Sequence, residues 1–493
     1  VSQAKITISL DEPIGTINPN LYGHFAEHLG NLVYDGIWVG EDSPIPNAGG
    51  IRLDVVNALK RVKPPVVRWP GGCFADDYHW QDGIGPRAGR PKRVNIWWGR
   101  VIEPNWFGTH EFIRFCRLIG AEPYLCGNVG SGSPRELRDW VEYCNYDGPS
   151  TLAEQRAANG SPEPFGVRYW SVGNENWGCG GNFDPEDYAV EYKRFTTYMT
   201  VFGGTPLFYI GCGPHGQDVD WTRRFFAKLG RYKTIHGYSV HYYCGTAGNA
   251  TEYTENQWYE LIARGLEMEQ VLQQHRAVID GYDPERRIGL VMDEWGTWHP
   301  PTEGHNPSFL WQQNTLRDAL VAASTLDIFN RLADKVVMGN IAQTINVLQA
   351  LILTQGDKMI TTPTYHIYDM YQEHQGGSSV RARFEAPEVS FGEGDKAGRI
   401  FGLDGSASVK DGVLTLSVVN PHISEAVEAQ IALRGGAAKA AQGRVLAAAD
   451  IHAHNSFEAP EVVAPVAAAV CATGSGWTQV FPPASVTVLR IAL

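Results

Sequence analysis

Eight short apolar runs recur along the first 375 residues, near positions 22, 66, 123, 168, 207, 237, 289 and 337. Between them lie stretches with apolar residues at helical spacing, as in Leu53, Val56, Leu59 and Val62. Short apolar strands alternating with amphipathic helices predict a parallel β/α architecture. Eight such strands are the number that closes a (β/α)8 barrel. Helices are expected over 51–62, 109–119, 134–144, 185–201, 220–229, 254–279 and 312–331, with Pro64 and Pro65 ending the first.

From about residue 376 the helical periodicity disappears. Short alternating runs replace it, such as Gly412 to Val419 and Ser485 to Ile491, joined by Ala/Gly/Pro-rich connectors. This predicts a C-terminal antiparallel β-sandwich of the jelly-roll kind. Residues 4–10 also alternate, precede the first barrel strand and need a sheet to pair with. The expected organisation is therefore an N-terminal strand within 1–18 joining the sandwich, a catalytic barrel over 19–375 and the sandwich over 376–493.

A chain of 493 residues accommodates a barrel and an accessory domain. Its net charge is -13 and it holds no Lys/Arg-rich run, which argues against nucleic acid and anionic membranes as partners. No apolar run is long enough to span a bilayer, and the start, Val1 to Lys5, has no signal-peptide core, so a cytoplasmic location is expected. None of the eight cysteines forms a CxxC pair, which fits mostly reduced thiols and no metal clip. The 15 Trp, 21 Tyr and 19 Phe suit a sugar-binding cleft as well as a core.

Two of the apolar runs end in glutamate. Val167 to Val172 stops at Gly173 and is followed at once by Asn174, Glu175 and Asn176. By itself this also fits a helix N-terminus, with Asn174 as cap. The run Ile288 to Met292 repeats the design with Asp293, Glu294, Trp295 and Gly296. These are the fourth and seventh strands, whose C-terminal ends face each other across the mouth of an eight-stranded barrel, where barrel enzymes hold their chemistry. Two carboxyls flanking one bond are the equipment of glycoside hydrolysis, one holding a proton and the other ionised. Separations of about 5–5.5 Å go with retention and about 6.5–9.5 Å with inversion. Strand alternation predicts that Asp293 points away from the mouth. No triad of His or carboxylates stands at ligand spacing, so neither a metal nor another cofactor is expected.

The motifs YGHFAEHLG, RWPGGCFADDYHWQDGIGP, GNENWG, SVHYY, DEWGTW and AQTINVLQ together cover the barrel, and in them the chain resembles glycoside hydrolase family 51, the α-L-arabinofuranosidases. The resemblance implies retaining chemistry with Glu175 as general acid/base and Glu294 as nucleophile. It implies that Asn174 binds the sugar 2-hydroxyl and Glu27 the outer hydroxyls, with Gln343 and Tyr243 near the ring, Arg68 beside the carboxylates, and Trp98 and Trp298 as aromatic walls. It further implies release of terminal arabinofuranose from arabinan, arabinoxylan or their oligosaccharides, and assembly as a homo-oligomer, often a hexamer. Read without the family, Arg68 is a buried ion-pair partner, Tyr243 a core tyrosine, and His24, His28 and His241 hydrogen-bonding residues at strand ends. The alternatives are an endo-acting β-1,4-glucanase or xylanase on the same barrel, and a non-catalytic sugar-binding protein.

One position departs from the family. Many members carry Asn where this chain has Cys73, and that Asn contributes to the substrate site. Cys179 lies in the loop after Glu175, and both loops rise from one barrel face. The two cysteines are therefore expected close together, either as a disulfide or as two buried thiols.

Overall fold

The computed structural model describes residues 2–394 and 397–493; Val1, Asp395 and Lys396 lie outside the described residues. Strands Gly23–Phe25, Val66–Trp69, Glu122–Gly127, Tyr169–Val172, Phe208–Gly211, Gly237–Tyr243, Gly289–Gly296 and Val336–Ile341 close into a barrel in chain order. Every neighbouring pair is parallel, the eighth returning to the first. All eight expected strands are present. The helices Leu53–Val62, Thr109–Ile119, Pro134–Asn145, Pro185–Tyr198, Val219–Leu229, Glu255–Tyr282 and Leu316–Arg331 fall where the periodicity places them. No helix among the described residues is long and apolar enough to cross a membrane.

The barrel interior is layered by strand alternation. Val66, Tyr124, Ile210, Val291 and Met338 form an apolar floor. Residues two positions further along a strand share its face, and there the side chains turn polar: Arg68 above Val66, Asp293 above Val291, Asn340 above Met338. These three meet inside the barrel. Asn340 Nδ2 donates to Asp293 Oδ1 at 2.8 Å, Tyr124 Oη donates to Asp293 Oδ2 at 2.7 Å, and Arg68 Nε lies 3.6 Å from Asp293 Oδ1.

Asp293 therefore points inward, contrary to the expectation from counting back one residue from Glu294. On the sixth strand, Val240 pairs with Met292 and the next residue, His241, with Glu294, leaving Asp293 as an extra residue. Such a β-bulge breaks the period of two and re-aims side chains. It brings the consecutive residues Asp293 and Glu294 to the same guanidinium, that of Arg68.

The C-terminal domain is a nine-stranded, mostly antiparallel sheet. Its apolar face draws Leu414, Leu416 and Val418 together with Ile431, Leu433, Phe481, Leu489 and Ile491 into one core, so the sheet curls over itself. The opening strand Ser2–Thr16 belongs to this sheet, antiparallel to Ser378–Glu385 and parallel to Val427–Arg434. Helix Leu316–Arg331 lies between barrel and sheet and is buried on every face. Val419, Leu446 and Val486 of the sheet join the apolar core of the barrel. A buried polar node also sits at this junction: Asp327 accepts from Ser406 Oγ at 2.6 Å, Ser417 Oγ at 2.5 Å and Tyr371 Oη at 2.9 Å.

Candidate active site

The ends of the barrel strands carry Arg68, His241, Tyr243 and Glu294, and the loops that follow the strands carry Glu27, Cys73, Trp98, Asn174, Glu175, Trp298 and Gln343, all at one end of the barrel. At their centre, ligand atoms of Glu175, His241 and Glu294 all lie within 4.8 Å of one another. His241 Nδ1 is 2.9 Å from Glu175 Oε1 and 3.6 Å from Glu294 Oε2.

Glu294 is held on both oxygens. Arg68 Nη1 donates to Oε1 at 2.8 Å and Tyr243 Oη donates to Oε2 at 2.7 Å. Burial alone would raise its carboxyl, but the charges of His241 and Arg68 and the bonds from Arg68 and Tyr243 outweigh it and hold it below the ordinary carboxylate range. The reverse applies to His241. Burial opposes its charge, yet Glu294 and Glu175 prevail and raise the imidazole above its usual value.

Glu175 sits on a tight turn, not in the first turn of a helix, so the capping reading of Asn174 does not hold. Its backbone φ is 40°, a conformation uncommon for a residue with a side chain and one that collects at functional sites. Its carboxyl is the more open of the two, with the side chain 17% exposed against 8% for Glu294. Asn174 Oδ1 accepts from Arg68 Nη2 at 2.6 Å, so one guanidinium spans Asn174 and Glu294.

Glu27 forms a second centre beside the first. Its Oε1 accepts from the backbone N–H of Gly72 and Phe74, both at 3.0 Å, and from Trp98 Nε1 at 3.1 Å; its Oε2 accepts from Gln343 Nε2 at 3.2 Å. Burial, reinforced by Glu294, pushes its carboxyl up to about 7 against the pull of the Phe74 N–H, Trp98 and Arg68. Gly71 and Gly72 make room for both centres. A methyl group at Gly72 would lie 2.7 Å from Glu294 Oε1, and one at Gly71 would lie 2.6 Å from Glu27 Cγ. Trp298 packs edge-on against Tyr243, with ring centres 5.0 Å apart. The peptide bonds Trp69–Pro70 and Ala342–Gln343 are cis.

Cys73 and Cys179 are joined by a disulfide. Their sulfurs lie 3.9 and 3.5 Å from Glu175 Oε2. Disulfide sulfurs carry no hydrogen, so these are packing contacts that wall one side of the carboxyl. The other cysteines are free, five of them buried and Cys471 exposed.

His24 and His28 stay outside this constellation. His24 is fully buried with neither ring nitrogen bonded, and His28 pairs with Glu103 at 2.9 Å. Two residues at the rim carried no sequence signal of their own. Asp76 is buried and accepts from the backbone N–H of Val129, Gly130 and Asn174 at 2.7–2.8 Å, tying together the loops after the third and fourth strands. Burial pushes its carboxyl up to about 7 against those three bonds and Arg68. His215, in the loop after the fifth strand, stands exposed at the mouth. Only the partners folding brings together identify either residue.

Glu175, His241 and Glu294 form a donor set that a divalent cation could use. Both Glu294 oxygens are already engaged, however, and the fixed charge of Arg68 opposes a second cation. The arrangement is instead suited to acid/base and nucleophilic work: an ion-paired carboxylate, Glu294, faces the more open carboxyl of Glu175, which lies within hydrogen-bond distance of the His241 imidazole.

Known proteins resemble the chain over almost its whole length. The model of the α-L-arabinofuranosidase 1 domain matches residues 58–253, and that of the α-L-arabinofuranosidase C-terminal domain matches residues 293–485. An intracellular exo-α-L-arabinofuranosidase of Bacteroides ovatus is 44% identical over 94% of this chain and 90% of its own length. The crystal structure of the GH51 arabinofuranosidase from Xanthomonas axonopodis pv. citri superposes with a TM-score of 0.95 at 41% identity, covering 99% of this chain and 100% of that one. That of the Thermotoga maritima α-L-arabinofuranosidase in complex with arabinose superposes with a TM-score of 0.88 at 32% identity, covering 99% and 100%.

Proposed function

The chain belongs to the α-L-arabinofuranosidases of glycoside hydrolase family 51, and from that premise we propose that it is a retaining, exo-acting member with Glu175 as general acid/base and Glu294 as nucleophile. The observation that carries this reading is the closeness of the two carboxyls, whose nearest oxygens are no more than 4.8 Å apart. So close an approach favours the class of about 5–5.5 Å, which goes with a glycosyl-enzyme, over the about 6.5–9.5 Å of inverting enzymes.

In the first step a Glu294 oxygen attacks the anomeric carbon, the glycosidic C–O bond breaks, and Glu175 gives its proton to the leaving oxygen. Arg68, His241 and Tyr243 keep Glu294 ionised for the attack. In the second step Glu175 takes a proton from water, whose oxygen displaces Glu294 from the anomeric carbon. Free arabinose leaves and Glu175 is again protonated, as one residue must serve in both directions. Two inversions give net retention. Asn174, oriented by Arg68, is suited to the 2-hydroxyl, and Glu27 with Trp98 and Gln343 to the outer hydroxyls.

The substrates are terminal arabinofuranosyl residues of arabinan, arabinoxylan or their oligosaccharides. The test is turnover in buffer containing methanol, followed by proton NMR. The α-configured methyl arabinofuranoside is expected as the first transfer product; the β-anomer would overturn the mechanism. Digestion of arabinan should release arabinose alone, and early release of longer fragments would exclude the exo reading.

A further inference from the structure

We propose that His215 recognises the sugar on the leaving-group side of the scissile bond, its imidazole hydrogen-bonding a hydroxyl of the departing saccharide. This rests on Glu175 being the acid that protonates the leaving oxygen.

The His215 loop is hydrogen-bonded to His241, the partner of Glu175, and to the neighbour of Glu175 itself. Gly216 N donates to His241 O at 2.7 Å, and His241 N donates to Pro214 O at 3.1 Å, so His215 is zipped to the residue that holds Glu175. Three residues earlier, Cys212 Sγ accepts from the backbone N–H of Asn176, the neighbour of Glu175, at 3.4 Å. From behind, buried His275 donates through Nε2 to Gly216 O at 2.7 Å. Its Nδ1 accepts from Thr222 Oγ1 at 2.9 Å, which in turn accepts from Tyr238 Oη at 3.1 Å. A chain of buried bonds thus holds the backbone on both sides of an exposed side chain, which a mere surface connection does not need.

The imidazole this scaffold presents has no hydrogen-bond partner of its own among the described residues. It is exposed, and its plane lies 15° from that of Tyr243 with ring centres 6.5 Å apart. The walls of the mouth strip enough water from the ring to lower its basicity, aided by the His241 charge and opposed by Glu175 and Glu294. A neutral ring offers one N–H donor and one acceptor, the complement of a sugar hydroxyl. Glu27, Asn174 and Gln343 already furnish the polar groups for the arabinose itself. A preformed, unsatisfied imidazole beside the acid is left for the next sugar.

The test compares His215→Ala and His215→Asn on an arabino-oligosaccharide and on 4-nitrophenyl α-L-arabinofuranoside, whose leaving group has no hydroxyls to match. The alanine variant is expected to lose on the order of tenfold more kcat/KM on the oligosaccharide than on the aryl substrate, mainly through KM. The asparagine variant should recover part of that difference, and the pH–rate profile on the aryl substrate should keep its position. Equal losses on both substrates, or a displaced profile, would overturn the proposal by assigning His215 a structural role or one exerted through Glu175. Wild-type enzyme inactive on the aryl arabinofuranoside would instead sink the reading of the site itself.

Discussion

Arg68 and Glu294 form a buried ion pair at 2.8 Å, and the same guanidinium reaches Asn174 at 2.6 Å. A planar fork can hold two acceptors at fixed angles, whereas an ammonium is a single compact charge. Arg68→Lys is therefore expected to lower kcat on the order of a hundredfold while the protein still folds. Arg68→Met leaves Asp293 and Glu294 without their cation and should cost about 3–5 kcal/mol of stability. Steady-state kinetics and thermal melts read both effects. A methionine variant as stable as the wild type would mean that the carboxylates do not depend on this cation.

Gly71 and Gly72 separate the two carboxylate centres sterically. A methyl group on Gly72 would meet Glu294 Oε1 at 2.7 Å, and one on Gly71 would meet Glu27 Cγ at 2.6 Å. Gly72→Ala should reduce kcat at least about a hundredfold by displacing a reacting oxygen. Gly71→Ala should act more on KM, through a group that binds outer hydroxyls. If both variants show the same pattern of kcat and KM, the division of labour between Glu294 and Glu27 is wrong.

The glutamates themselves separate by leaving group. Glu294→Ala should abolish turnover on every substrate. Glu175→Ala should cost far less on an aryl arabinofuranoside, whose leaving group departs without a proton, than on a natural linkage. Equal losses for Glu175→Ala on the two substrates would remove its role as acid.

The Cys73–Cys179 disulfide closes a loop spanning 106 residues and touches Glu175 through both sulfurs. Replacing both cysteines by serine should cost about 2–5 kcal/mol of stability. It should also slow natural linkages more than activated aryl substrates, because the freed loop is the one that aims the acid. Thermal melts and the ratio of the two rates provide the check. A double variant with lowered stability but an unchanged rate ratio would make the bridge a staple with no part in positioning Glu175.

Much of this was legible in the chain because parallel barrel strands are buried on both faces and read as unbroken apolar runs. Glu175 and Glu294 were legible for a related reason: each ends such a run abruptly. The bulge at Asp293 was not, since an extra residue shows only against the register of the neighbouring strand. Helix Thr151–Ala158 was missed because a buried arginine takes an inward position. Arg156 donates to four carbonyls, those of Tyr143, Tyr146, Ser161 and Pro162, where periodicity looks for an apolar residue. Asp76 lies in the 3-10 turn Cys73–Asp77 and His215 in a loop, and only tertiary contacts mark them out.

The junction of barrel and sheet gives a pH prediction that does not involve the active site. Asp327 is fully buried and accepts three hydroxyl hydrogen bonds, from Ser406, Ser417 and Tyr371. Burial lifts its carboxyl to about 6, against the pull of the serine bonds and Arg331, with Asp404 adding to the rise. A carboxyl whose value is higher in the folded state binds its proton more tightly there than in the unfolded chain. Its stabilising contribution is complete below about pH 4, the unfolded value, and is lost as the pH rises through about 6, a change of about 3 kcal/mol. Asp327→Asn removes that titration and leaves the other groups in place. The melting temperature of the wild type relative to Asp327→Asn should therefore fall between pH 4 and pH 7. Parallel curves across that window would mean that Asp327 is ionised throughout in the folded protein, with the three hydroxyls and Arg331 sufficient to hold its charge.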